Sequence, residues 1–136
     1  MNREFFSKRS VTLIIVIMVM SVSAFIVGCG PEPLQVKDVQ SDPFSYTGEI
    51  TVIGIVSAFA PDDNMFGIKD IEDMKQCGFA PTCSAWVMPV VLMNQEPFPA
   101  FGDEVKVTGT FTSMDGHPIF EVKKYKVTGS YAQFMQ

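Results

Sequence analysis

Hydrophobic and polar side chains alternate along residues 104–111, where valines and a phenylalanine are separated by charged residues and threonines. This is the period of a β-strand with one buried and one solvated face. Gly109 falls on the buried side, where a missing side chain lets a strand bend or another backbone approach. The same pattern runs through residues 49–56, with Gly54 at the matching place. Two bent strands of this kind predict a small, strongly curved barrel.

Further strands are indicated by composition at residues 65–69, 84–93 and 119–127. The segment 84–93 is apolar on both faces and contains Pro89, which predicts a bulge or an edge position. Asp115 and Gly116 form the sequence of a tight hairpin turn. In the last strand the apolar positions change face near Lys123, which predicts a bulge there.

Two short helical turns are expected between these strands. Asp42 before Pro43 has the character of a helix start, and Gly48 of a left-handed stop. We expect this turn to present Phe44 or Tyr46 to the barrel and to plug one end of it or lie across it. A second helical turn is expected at residues 71–75, inside the long interruption 70–82.

The first 28 residues form a separate segment, with basic residues at its start followed by an apolar stretch. That order is typical of an export signal. The sequence Ile26-Val27-Gly28-Cys29 resembles the bacterial lipobox. The resemblance implies that the signal is cut before Cys29 and that this cysteine carries a diacylglyceryl group and a further acyl chain such as palmitate. An uncleaved anchor or ordinary secretion are the alternatives.

These patterns predict a domain organisation of signal peptide 1–28, lipidated tether 29–36, barrel 37–129 and tail 130–136. Because Gly30 rather than an acidic residue follows the cysteine, analogy with lipoproteins implies the periplasmic side of the outer membrane in a cell with two membranes.

Five strands, bent by glycines and without a long helix, predict an all-β, OB-like Greek-key barrel. The glycines and apolar positions of segments 42–56, 66–70 and 102–109 resemble those of exported bacterial OB-fold lipoproteins, in a family related to tRNA-anticodon-binding domains. The resemblance spans nearly all of the chain after Cys29, and its motifs build strands rather than sites. A small sandwich and an SH3-like barrel are the alternatives.

The charge balance bears on the partners. The chain has 10 basic and 15 acidic residues, of which three basic and one acidic lie in the leader, so the remainder has a formal net charge of −7. An acidic surface repels phosphate backbones. We therefore expect no nucleic-acid partner, and an envelope protein as partner instead.

Cys77 and Cys83 flank a short segment that contains glycine and proline. Outside the cytoplasm such a pair is most often a disulfide. The alternative is a soft-metal (copper), haem or thiol-redox site, for which Met74 and His117 are the further candidate ligands. Zinc is disfavoured because the chain has one histidine and zinc sites use four ligands at closer spacing. We expect no cofactor.

Several aromatic side chains are candidates for stacking on a ligand: Phe59, Phe66, Trp86, Phe98, Phe101 and Tyr125. OB domains bind along their second and third strands, which predicts a binding face of Phe66, Lys69, Trp86 and Met88. No Ser-His-Asp set or phosphate-binding glycine loop occurs. The sequence therefore favours a non-catalytic binding or assembly module.

Overall fold

The computed structural model describes residues 30–80, 85–94 and 96–132. The domain is the compact unit Pro33–Gln136. The signal peptide, Cys29, Cys83 and the end of the tail lie outside the described residues, so the domain boundaries stay predictions. None of the described helices is long and apolar enough to cross a membrane.

The elements follow one another in the order β1 (Leu34–Gln35), α1 (Val36–Gln40), a 3-10 turn (Pro43–Ser45), β2 (Ile50–Ala60), a 3-10 turn (Pro61–Asp63), β3 (Met65–Lys69), α2 (Ile71–Cys77), β4 (Val87–Leu92), β5 (Asp103–Met114) and β6 (His117–Ser130).

The five long strands close into a barrel. β2 pairs antiparallel with both β3 and β5, β3 pairs with β4, and β5 pairs with β6. The barrel closes where β4 and β6 run parallel at Val90–Phe120 and Leu92–Val122. This ring is the Greek-key order of an OB barrel. The predicted all-β, OB-like fold is confirmed, and neither the sandwich nor the SH3-like alternative has this strand order.

Glycines and bulges bend the strands. A Cβ at Gly109 would lie 1.9 Å from the carbonyl oxygen of Glu121, so no other residue fits there without a shift. The register of β5 and β6 moves by one residue at this place, which leaves Lys123 as the extra residue of a bulge. Asp115 and Gly116 both have positive φ, as a two-residue hairpin turn requires. The predicted bulge and turn are confirmed.

The barrel interior is filled by valines and by larger side chains from every long strand. The element that enters this core from the N-terminal side is α1, whose Val36 and Val39 are fully buried. The turn after Asp42 was expected to do this. It contributes Tyr46, which packs against the core, while Phe44 remains 51 % exposed. One of the two candidate rings of this turn, Tyr46, therefore contacts the barrel core.

The outer face of β2 is covered as well. Ile53 and Ile55 are buried although they do not belong to the barrel core. Helix α2 packs on this strand and buries Met74. Asp70 begins this helix, and its buried carboxylate accepts hydrogen bonds from the backbone N–H groups of Glu72 and Lys37 at 2.9 and 3.0 Å. One carboxylate thus joins α2 to α1.

Candidate functional site

The outward face of β3 and β4 is lined by apolar and small residues. Phe66 and Ile68 of β3 point into the core, as do Met88, Val90 and Leu92 of β4. The alternate positions therefore point outward. They are Met65, Gly67, Val87, Pro89 and Val91. Apolar side chains on an outer sheet face mark an interaction surface when nothing in the domain covers them.

A shallow groove of about 180 Å³ runs along this face. Its lining consists of Ala58, Phe59, Ala60, Met65, Phe66, Gly67, Val87 and Pro89. Gly67 forms the floor, because a Cβ there would lie 2.3 Å from Cγ1 of Val87 and 3.2 Å from Cβ of Ala58. The two alanines keep one wall low. The groove is open, apolar and free of charged side chains in its lining.

A series of aromatic rings leads from the core to one end of the groove. Phe66 lies in the core, and its ring is 6.2 Å from that of Phe98, which in turn is 6.0 Å from Phe59. Phe59 contacts Phe101 at 6.4 Å, and Phe101 contacts Phe79 at 4.5 Å. Phe59 and Phe101 are 40 % and 37 % exposed. Their outer surfaces are available for stacking on a flat ligand group.

The loop that carries Phe98 and Phe101 is held at both ends. The hydroxyl of Tyr125 donates to the carbonyl oxygen of Pro97, and Gly102 donates its N–H to Val56 at 2.8 Å. Burial, followed by the negative charges of Glu96 and Asp103, raises the pKa of Tyr125 above its ordinary value. The hydroxyl therefore keeps its proton at neutral pH and remains a donor.

The charges near the groove differ at its two ends. Asp62 and Asp63 are exposed in the 3-10 turn that follows the groove residue Ala60. Lys69 ends β3 and is 8 % exposed. A buried lysine of this kind covers apolar surface with its stem. Because no charged side chain lines the groove, it can recognise a ligand through its shape and through apolar contacts.

The predicted binding-face residues occupy different places. Phe66 and Met88 are core residues, and Trp86 is half-buried and packs against the core. Phe66 and Met88 expose 1 % and 0 % of their surface, so they offer little of it to a ligand, although Phe66 also lines the groove. Trp86 keeps part of its surface exposed, and its role in binding stays a prediction. On the same strands, the residues next to Phe66 and Met88 in the sequence point outward and are the ones that a ligand can contact. Side chains alternate between the two faces of a strand, so Met65 and Gly67 lie on the opposite face of β3 from Phe66. This alternation could have been predicted from the sequence.

The candidate metal ligands are not brought together. Met74 is buried in α2, and Cys77 ends the same helix. His117 is exposed at the tip of the β5–β6 hairpin. The helix lies near the opposite end of that hairpin, because Met74 and Tyr131 line one cavity of about 470 Å³. His117 thus stands at the hairpin tip and Met74 at the end of the domain where β6 finishes, and the structure does not place the two side chains together.

The partner of the predicted disulfide is not described. Cys83 lies among residues 81–84, outside the described part of the chain. The Cys77–Cys83 bond therefore stays a prediction. Among the residues that are described, no group of three or more His, Cys, Asp or Glu side chains is placed to hold a metal ion.

No protein-family model and no curated protein matches the chain. Among solved structures it is similar to the Stn1–Ten1 complex of S. pombe, with 18 % identity and a TM-score of 0.41. That similarity covers 59 % of this chain and 57 % of the other, so the chain spans little more than half of that structure's length. It is also similar to the N-terminal domain of PriB from Thermoanaerobacter tencongensis, with 14 % identity, a TM-score of 0.38, and coverage of 62 % and 100 %.

The expectation that nucleic acid is excluded as a partner is wrong. The strand pairings of this domain are those of an OB barrel, a fold that binds oligonucleotides along this face. The error was to treat net charge as if it were spread evenly. The potential at a surface depends on where the charges lie, and lysines of this domain are concentrated on two strands, β5 and β6.

Proposed function

We propose that the chain is a non-catalytic binding module that is exported and held at a membrane by lipid on Cys29. The apolar groove on β3 and β4 is its ligand site, and the exposed rings of Phe59 and Phe101 provide its stacking surfaces. The observation that carries this proposal is the open apolar groove beside two exposed phenylalanines, on the face where OB barrels bind their ligands.

The ligand that fits this site is an extended oligomer of ring-shaped units. Unpaired bases and sugar rings both stack on aromatic side chains, and stacking on one ring contributes about 1–3 kcal/mol for a base. The two exposed rings belong to different segments, the end of β2 and the loop before β5. Their ring centroids are 6.4 Å apart, so two successive groups of one extended ligand can contact both rings.

Binding at this groove depends little on salt. No lysine lines the groove, so few counterions are released when a charged oligomer occupies it. A shallow dependence on salt separates groove binding from binding to the lysines elsewhere on the domain.

The test is a titration of the full chain in detergent with oligothymidylate and, separately, with N-acetylglucosamine oligosaccharides. Intrinsic fluorescence of Trp86, which precedes the groove residue Val87, supplies the signal. Phe59→Ser and Phe101→Ser should each weaken the binding of the active probe by about tenfold. Phe44→Ser is the matched control, since that ring is 51 % exposed on the 3-10 turn and not in the groove.

Two outcomes contradict the groove proposal. One is an equal loss of affinity in Phe44→Ser and Phe59→Ser. The other is the absence of saturable binding with either probe.

Lipid attachment is tested separately. Cys29→Ala should abolish incorporation of labelled palmitate and leave the signal uncut, because the modified thiol is missing. This prediction rests on the leader, which is first basic and then apolar and ends in the lipobox-like sequence. Continued labelling of the variant, or no labelling of the unaltered chain, would refute the attachment. The periplasmic side of the outer membrane is the proposed location.

A further inference from the structure

Four of the seven lysines that follow the leader lie on one pair of strands, β5 and β6. Lys106 stands directly opposite Lys126, and Lys124 stands opposite Thr108 one step along. Val105 and Val107, on either side of Lys106, are fully buried in the core. Because side chains alternate along a strand, Lys106, Lys124 and Lys126 share the outer face. We call these three residues the lysine face.

The lysine face does not stabilise the domain through ion pairs. The pairs formed among the described residues are Lys37–Glu72 and Lys123–Glu49, and neither involves the lysine face. Glu104 lies beside it, but the Glu104 carboxylate accepts a hydrogen bond from the hydroxyl of Thr128 at 2.7 Å. Glu121 lies beyond the bulge. Like charges directly opposite each other destabilise a sheet, so the Lys106–Lys126 pair is unfavourable for folding alone.

The lysine face lies level, across the sheet, with β1, the first strand of the domain. Gln35 of β1 pairs with Ile53, Ile53 pairs with Lys106, and Lys106 pairs with Lys126. Neighbouring strands are about 4.8 Å apart, so three steps separate β1 from β6 by about 14 Å. The five residue-to-residue steps from Cys29 to Leu34 reach at most about 17 Å. A lipid on Cys29 would therefore keep this face within reach of the membrane surface.

The lysine face and the groove point in different directions. Around the barrel, β5 pairs with β6 and with residues 50–55 of β2, whereas the groove is lined by β3, β4 and residues 58–60 at the other end of β2. The strand that carries Lys106 neighbours neither β3 nor β4, so its outer face is turned away from the groove floor at Gly67. A domain that rests on the membrane through its lysine face presents the groove to the solvent.

We propose that the lysine face docks on the anionic headgroups of the membrane that holds the chain and thereby orients the groove away from the bilayer. This inference rests on the lipid attachment proposed above. A lysine near an anionic surface increases association about fivefold. The interaction decays within a Debye length of about 10 Å at 0.1 M salt. The lipid supplies the attachment, and the lysines set the orientation.

The test measures the accessibility of the lysines on the attached chain. The full chain is reconstituted into vesicles of phosphatidylcholine alone or with about one third phosphatidylglycerol. Acetylation of Lys124 and Lys126 is then followed by mass spectrometry. Both should react about fivefold more slowly on the anionic vesicles, and 0.5 M NaCl should remove the difference. Lys106→Gln should weaken this protection, whereas the matched control Lys75→Gln on α2 should leave it unchanged.

Each alternative outcome is distinguishable. Equal acetylation rates on both vesicles, with the chain still attached, overturn the docking and leave the attachment and the groove intact. A chain that leaves both vesicles in 0.5 M salt overturns the attachment and the docking together. Protection of Lys124 and Lys126 by oligothymidylate on neutral vesicles, without protection by phosphatidylglycerol, overturns the docking in favour of a phosphodiester partner.

Discussion

Gly67 lies beneath the side chain of Val87 from the neighbouring strand. A Cβ on Gly67 would approach Cγ1 of Val87 to 2.3 Å, far inside the contact distance of two carbon atoms. Val87 is β-branched and has little rotamer freedom to move away. The floor of the groove and the packing of β3 on β4 thus depend on the same glycine.

Gly67→Ala should therefore lower the free energy of unfolding by about 1–3 kcal/mol, the usual cost of overpacking. It should also weaken binding of the groove probe, because the added methyl group fills the floor. Denaturant unfolding and the fluorescence titration measure the two effects. Gly129→Ala is the matched control, since its Cβ would lie 3.7 Å from the nearest atom. The second substitution Val87→Ala should restore part of the stability, and a failure to do so would contradict the clash.

The strands were largely predictable from the sequence because their side-chain period is two. Residues 65–69 were predicted with the bounds that β3 has, and the bulge at Lys123 followed from the change of apolar face. Helix α1 was missed because it has only five residues and its N-cap is Gln35, which is not among the preferred N-cap residues. Its burial comes from tertiary contacts that no local pattern reports.

The candidate site was predictable only in outline. The choice of β3 and β4 followed from the fold, but β4 is apolar on both faces, so the sequence did not tell which face points inward. The parallel pairing with β6 decides it, because it aligns Val90 and Leu92 with the buried Phe120 and Val122. This pairing joins segments about 30 residues apart, and no local property of β4 specifies it.

Asp70 provides a second test, of the link between the two helices. Its carboxylate is 1 % exposed and accepts from the N–H groups of Lys37 and Glu72. Asp70→Ala removes an N-cap worth about 1 kcal/mol and leaves the N–H of Lys37 without its acceptor, at about 1–3 kcal/mol if that group stays buried. The expected loss of unfolding free energy is about 2–4 kcal/mol.

Asp42→Ala is the control for this substitution. Asp42 stands at the start of the 3-10 turn but makes no side-chain capping hydrogen bond, so its loss should change stability by less than about 0.5 kcal/mol. Equal effects of the two substitutions would show that the Asp70 hydrogen bonds do not stabilise the fold. Asp70→Asn keeps one acceptor oxygen and should lie between the two.

We predict that Cys77 and Cys83 form a disulfide bond. Cys77 ends α2 beside Gly78, whose positive φ turns the chain back after the helix. A disulfide to Cys83 closes a small loop and stabilises the domain by about 2 kcal/mol in the chain-entropy model. Mass mapping of unreduced protein should show these two thiols joined, and Cys83→Ser should lower the melting temperature. Two free thiols in protein purified from the envelope would reopen the thiol-redox alternative.

The raised pKa of Tyr125 predicts how the free energy of unfolding changes at alkaline pH. Burial, and after it the charges of Glu96 and Asp103, raises the pKa of its hydroxyl above the ordinary value of 10.0. The folded state therefore holds this proton more tightly than the unfolded chain does. The stabilising contribution is complete below pH 10 and is lost as the pH rises through the folded-state pKa. In Tyr125→Phe the unfolding free energy should fall less steeply above pH 10 than in the unaltered chain.

At neutral pH the same substitution removes the hydrogen bond to Pro97 and should cost about 1 kcal/mol. Tyr46→Phe is the matched control, because the Tyr46 hydroxyl also donates to a backbone carbonyl, that of Asp38 at 3.1 Å. Urea unfolding between pH 8 and about pH 11.5 supplies both quantities. Parallel curves for Tyr125→Phe and the unaltered chain above pH 10 would show that the hydroxyl does not titrate differently in the two states. The loop of Phe98 and Phe101 would then be held by packing on Phe59 and Phe66 rather than by a protonated tyrosine.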